Sequence, residues 1–116
     1  MLGLLSKVQI IDNSGGNIGR CIKILKSGRP HAKIGDRILV SVIKTSSGSL
    51  IKKGDIHKAI VVRTCYTNQN TIWSDNAVIL IKGSGRDITP IATRLKGPIS
   101  SYITSLKLLS IAKIVI

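Results

Sequence analysis

Arg37-Ile38-Leu39-Val40-Ser41-Val42-Ile43-Lys44 places Ile38, Val40 and Val42 on one face of an extended chain, with Arg37 and Ser41 on the other. Successive side chains of a strand point to opposite sides of its sheet, so this run predicts a half-buried β-strand. Outward from it, Lys7 to Ile11, Arg20 to Leu25, Lys58 to Thr64 and Ala77 to Ile81 carry the same signal: each is rich in Ile and Val and bounded by Gly, Ser, Asn, Asp or Pro. Ile22 and Ile24 share a face while Lys23 points oppositely, which predicts a strand with an apolar inside and a cationic outside. Ala59-Ile60-Val61-Val62 and Val78-Ile79-Leu80-Ile81 are apolar on both faces and should be the most buried strands. Short strands joined by turn-rich loops favour a mainly β fold, a small closed or nearly closed barrel, because closure removes exposed strand edges. From Ile99 to Ile116 the apolar residues Ile103, Leu106 and Leu109 fall at mixed spacing, and predict a short helix with a final extended piece.

The 116 residues, 43% of them hydrophobic, suffice for one core. The expected division is a single domain over 1–116, with the barrel over about 1–95 and a C-terminal extension over about 96–116. Eighteen Lys and Arg stand against five acids, giving a formal charge of +13 and a positive potential over much of the surface. The partner implied is a polyanion, either nucleic acid or an anionic membrane surface. No stretch approaches the roughly 20 apolar residues that a spanning helix needs, which excludes a membrane span of that kind. Met1 to Leu5 is apolar, but shorter than a signal-peptide core and without its cleavage pattern, and strand-like Val8-Gln9-Ile10-Ile11 follows directly. The domain is therefore expected to begin at the N-terminus, with any organelle address internal or unnecessary.

Cys21 and Cys65 lie in or beside apolar strand-like segments and lack a second pair with zinc-site spacing, so two buried thiols in a reducing compartment are expected. The acids are Asp12, Asp36, Asp55, Asp75 and Asp87, every one in a turn-like context where bonding to backbone N–H is its commonest use. Neither His31 nor His57 sits in a nucleophile elbow, a metal-binding pair or a phosphate-binding Gly-Lys loop. No catalytic residue, metal or cofactor is expected. Lys33-Ile34-Gly35-Asp36 and Lys53-Gly54-Asp55 echo each other ahead of successive strands, which turn chemistry explains without duplication. Asp12-Asn13-Ser14-Gly15-Gly16 predicts a tight turn, and it also suits close approach of backbone to RNA.

Lys26-Ser27-Gly28-Arg29-Pro30-His31-Ala32-Lys33 places Lys26, Arg29 and Lys33 in eight residues that Gly and Pro keep from forming a helix. That density points to phosphate contact, where each neutralised phosphate releases counterions. A second loop, Thr45 to Gly54, has a Ser-Gly tip and a basic base at Lys52 and Lys53, suited to wrapping a partner. The aromatics are Tyr66, Trp73 and Tyr102 alone, too few for a platform that stacks single-stranded bases, and Trp73 reads chiefly as core. Cations for phosphate, with backbone N–H and small hydroxyls for sugar, suit structured RNA recognised by shape.

Together these residues resemble the family of the universal large-subunit ribosomal protein fourteen. Asp12-Asn13-Ser14-Gly15 followed by Cys21-Ile22-Lys23 is similar to its opening, and Ile34-Gly35-Asp36 to the approach to its third strand. Lys52-Lys53-Gly54-Asp55-Ile56-His57-Lys58-Ala59-Ile60-Val61-Val62-Arg63-Thr64 is the most telling block. Asn76-Ala77-Val78-Ile79-Leu80 and Pro90-Ile91-Ala92-Thr93-Arg94-Leu95-Lys96-Gly97-Pro98-Ile99 continue the likeness in order, so that it covers nearly the whole chain.

The resemblance implies a five-stranded β-barrel with a short C-terminal helical extension, seated on large-subunit rRNA at the face that meets the small subunit. It also implies contact with a neighbouring large-subunit protein, a bridge to small-subunit rRNA, and an architectural role without catalysis. Carried onto matching positions, Lys23, Lys52, Lys53, Lys58, Arg63 and Arg94 become RNA-facing. Lys26, Arg29 and Lys33 of the basic loop, with Lys44 and Lys96, complete the expected RNA-binding set.

The chain departs from the family between Thr64 and Trp73, where a basic run is missing. It departs again after Pro98, where Ser100-Ser101-Tyr102-Ile103-Thr104 replaces a charged segment. These departures bear on the intersubunit contact more than on the rRNA seat. With abundant Ile and Lys, no Phe and no Glu, they favour a mitochondrial ribosome over a bacterial or plastid one. A reading of another class is a free-standing basic β-barrel adaptor that binds a protein or translation regulator through its apolar tail.

Overall fold

A computed structural model describes residues 2–25, 31–46, 51–65, 75–82 and 95, and the backbone of 89–90, 98–99 and 114–115. Five strands, β1 (Lys7–Ile10), β2 (Gly16–Ile24), β3 (Arg37–Thr45), β4 (Ile56–Arg63) and β5 (Ala77–Lys82), pair in sequence order as antiparallel neighbours. β5 then returns to β1 in parallel, Gln9 opposite Ala77 and Ile10 opposite Val78, and closes the barrel. The short β6 (Thr89–Pro90) continues along β5 beyond the end of β1, opposite Ile81 and Lys82. A separate parallel pair joins β7 (Pro98–Ile99) to β8 (Ile114–Val115). β8 is the extended piece expected at the end of the chain; the helix expected before it lies outside the described residues. Among the described residues no helix is long and apolar enough to cross a membrane.

The barrel is filled by the alternation read from the sequence. Val8 and Ile10 of β1, Ile38, Val40 and Val42 of β3, Ala59 and Val61 of β4, and Val78 and Leu80 of β5 meet inside, with Leu2, Ala32 and Ile51 packed among them. Each such aliphatic contributes about 1.5–3 kcal/mol on leaving water. The other faces of β4 and β5 make a second core, in which Ile60, Val62, Ala77, Ile79 and Ile81 pack with Ile11 and Leu95 and with half-buried Ile34. That outer cover is why these two strands are apolar on both sides.

β2 differs most from the sequence expectation. It starts at Gly16 instead of Arg20, because long β3 supplies ladder partners for residues whose own β propensity is weak, Gly16 opposite Thr45 and Gly19 opposite Val42. Gly19 has a packing reason as well: a Cβ there would overlap the Cγ1 of Val40, so only hydrogen lets β2 approach the barrel centre. The register slips between Cys21 and Lys23, a bulge that leaves Ile22 unpaired. Cys21 therefore faces the interior, Ile24 packs against it from the far side of the bulge, and Ile22 is exposed, not inside as simple alternation predicts.

The cysteines also divide. Cys21 is buried, and burial pushes its thiol up, opposed by a weaker bond to the Lys23 carbonyl. Cys65, expected to be buried, is exposed; it follows buried Thr64, two residues past the end of β4 at Arg63.

Candidate nucleic-acid interface

The charge of the surface is set by where the acids go. Asp12 is buried: its Oδ1 accepts from the backbone N–H and hydroxyl of Ser14, and its Oδ2 accepts from the Leu80 N–H at 3.1 Å. Ile11 is the last residue of the first segment to bond β5 through backbone, donating to Val78. Asp12 then supplies by side chain the acceptor that another strand residue would have given to Leu80. The turn expected at Asp12-Asn13-Ser14-Gly15 is thus also the clasp of the barrel seam.

Asp36 and Asp55 each close a Lys-x-Gly-Asp corner. Asp36 donates its N–H to the Lys33 carbonyl while its Oδ2 accepts from the Lys33 N–H; Asp55 does the same with Lys52. Gly35 (φ 91°) and Gly54 (φ 90°) hold the left-handed position that such a turn requires. The anchoring matches too: Gly35 and Asp36 exchange a pair of backbone bonds with Val61, and Gly54 and Asp55 with Val42. One corner precedes β3 and the other precedes antiparallel β4, so they stand at opposite ends of the barrel. Both spend their carboxylates on backbone and leave Lys33, Lys52 and Lys53 exposed. Asp75 faces Arg63 at 3.4 Å, and Asp55 lies 3.8 Å from His57 Nε2.

No Asp or Glu lies in β1 to β5. The strands instead carry cations on the outer surface, where Lys23 and Lys58 flank Leu39 in one cross-strand row and Lys44 stands opposite Ile18. With strands about 4.8 Å apart, the first row sets two positive groups roughly 10 Å from each other. Lys23 and Lys44 are exposed and Lys58 is half-buried. Lys44, Lys52 and Lys53 gather at the end of β3, through the bonds that join Val42 to the second corner; Lys33 is at the other end. Arg63 is mostly covered, with its side chain 13% exposed beside Asp75. Lys26, Arg29, Arg94 and Lys96 lie outside the described residues, as do Tyr66, Trp73 and Tyr102.

Sequence reading omitted Lys7 and Arg20, exposed and directly opposite each other on β1 and β2. Strand periodicity already turned Lys7 outward, but pairing it with Arg20 needs the hairpin register.

Cations held in this way on a stiff frame have the chemistry to neutralise phosphates. A family model described as Ribosomal protein L14p/L23e matches residues 1–116. The closed barrel and a match over residues 1–116 agree: the chain belongs to the ribosomal protein L14p/L23e family, which is structural and not enzymatic.

Proposed function

We propose that the chain is one rRNA-binding domain of the large ribosomal subunit, lying at the face that meets the small subunit. Folded rRNA is held through Lys23, Lys33, Lys44, Lys52, Lys53 and Lys58, with Lys26, Arg29, Arg63, Arg94 and Lys96 completing the set. The observation that carries this reading is the disposal of the acids: Asp12, Asp36 and Asp55 accept bonds from backbone N–H groups in turns, and no Asp or Glu lies in β1 to β5, so the strands present cations without acids among them. Neutralising phosphates contributes binding that is independent of base sequence, and a rigid barrel adds little ordering cost. Neighbouring large-subunit proteins are further partners, and small-subunit rRNA is reached through an intersubunit bridge. A mitochondrial ribosome is the proposed setting, supported by the lack of Glu and Phe.

Sedimentation tests the proposal. Tagged full-length chain expressed in its source cells should remain with large subunits through a high-salt wash, and co-purify with the mitochondrial fraction. Recovery in the soluble fraction, free of rRNA, would refute it.

A further inference from the structure

The two Lys-x-Gly-Asp corners differ in the residue just ahead of them. Ile51 precedes Lys52 of the second corner and Ala32 precedes Lys33 of the first; both are buried and both join the inner core. Ile51 brings a branched butyl group to its end of the barrel, whereas Ala32 brings a lone methyl to the opposite end. A gap left there would forfeit the dispersion contacts of its lining. Leu2, fully buried in the same core cluster, supplies the bulk that Ala32 lacks. Its backbone pairs with Ala32: the Leu2 N–H donates to the Ala32 carbonyl at 2.9 Å, and the Ala32 N–H to the Leu2 carbonyl at 2.7 Å. We propose that Leu2 is a positioning residue for the first corner: it stoppers that end of the barrel and, through Ala32, fixes the backbone that presents Lys33 to rRNA. This role rests on the rRNA reading and adds to it a buried residue that carries no charge.

The N-terminal segment is shaped to deliver Leu2. Ahead of β1, the Ser6 carbonyl accepts from the Cys21 N–H and the Leu5 N–H donates to the Cys21 carbonyl, which fastens the segment to β2. A turn over Gly3–Ser6, closed by the Ser6 N–H on the Gly3 carbonyl, brings Leu2 across to Ala32. Leu5 is the third residue of that turn, and its left-handed φ of 64° is the conformation some turns require there. The His31 ring lies beside Gly3, where a Cβ would meet its Cδ2 at 3.5 Å. On the outer side the first corner is held by half-buried Ile34 in the second core, and by the bonds of Gly35 and Asp36 to Val61. On the inner side it contributes Ala32 alone. A cation on backbone that is free to shift must be ordered as it meets phosphate, and that cost is taken from affinity. Leu2 removes it in advance.

Amide hydrogen exchange of the full chain, followed residue by residue by NMR, separates positioning from general loss of core. In Leu2→Ala the Ala32 and Gly35 amides should exchange about tenfold faster relative to the Gly54 amide of the second corner, and Ile51→Ala should move that ratio the other way. Leu2→Val should show the same order at about threefold, so the pattern stays readable even where the larger truncation fails to fold. Leu2→Ala combined with Ala32→Ile, which moves the bulk to the place it holds in the second corner, should restore the wild-type ratio. Against a structured rRNA hairpin, Lys33→Ala should weaken the wild-type chain about threefold but Leu2→Ala by less than about 1.5-fold, because the cation is already misplaced there. Equal acceleration at both corners in Leu2→Ala, an unmoved Ala32 amide, or losses of hairpin affinity that simply add would overturn the proposal. A wild-type chain that binds no hairpin would refute the rRNA reading, and the hold of Leu2 on the corner would then stand or fall on the exchange ratio.

Discussion

Asp12→Ala should open the seam between β1 and β5. The carboxylate accepts the Leu80 N–H at 3.1 Å and the Ser14 N–H at 3.2 Å, and it also receives the Ser14 hydroxyl. Leu80 is fully buried, so its amide finds no water when the acceptor is lost, at about 2 kcal/mol. The Ser14 bonds, nearer the surface, add about 1 kcal/mol. The sum of about 3 kcal/mol is large against the ~5–15 kcal/mol typical of a folded domain. It should lower Tm by about 12–20 °C. Urea unfolding of the isolated chain, followed by circular dichroism, should show the midpoint falling with an unchanged slope. Asp12→Asn keeps one acceptor oxygen and should cost about half as much. A loss below about 1 kcal/mol for Asp12→Ala would refute the clasp. Equal losses for both variants would show that charge, and not the number of acceptors, closes the seam.

Other perturbations address separate features. Gly19→Ala forces a methyl into the space of Val40 Cγ1 and should cost about 1–3 kcal/mol by urea unfolding, with an undisturbed Tm counting against the close approach of β2. Gly35→Ala and Gly54→Ala meet no atom within 4 Å, so each pays only for its backbone angle; the two losses should be about 1 kcal/mol and agree within roughly 0.5 kcal/mol. A thiol reagent at pH 8 should modify Cys65 in the native chain and Cys21 only after denaturation, and rapid labelling of both would contradict the burial of Cys21. Since burial raises the Cys21 pKa above 9.0, its contribution is fully present below that pH and is lost as pH rises through the folded value; Cys21→Ala should remove that part of the alkaline decline in stability.

The barrel was legible because its inner surface obeys a period of two. Ile38, Val40 and Val42 announced the face of β3, and doubly apolar β4 and β5 announced a second cover that Leu95 and Ile34 supply. β2 was read less well, since its start depends on ladder partners in β3 and its bulge reverses the direction of Ile22. The corners at Gly35 and Gly54 were visible as local chemistry. The bond from Leu80 to Asp12, between residues 68 positions apart, has no local signature, so a clasp looked like a turn. For the candidate interface, the exposed lysines of both corners followed from composition and turn type. Arg63 did not: its engagement with Asp75 joins the end of β4 to a residue just ahead of β5, twelve positions along the chain. Lys7 and Arg20 became neighbours only through the hairpin register.

The central claim, that outward lysines on a closed barrel neutralise rRNA phosphates, is tested most directly by the salt dependence of binding. Affinity of the full-length chain for a folded large-subunit rRNA fragment should fall linearly with salt on logarithmic axes. Replacing Lys44, Lys52, Lys53 and Lys58 together by Ala, in a chain shown by circular dichroism to keep its fold, should flatten that slope by about 0.7–0.9 for each phosphate contact removed. A slope that the four changes leave untouched, or wild-type affinity indifferent to salt, would contradict the account.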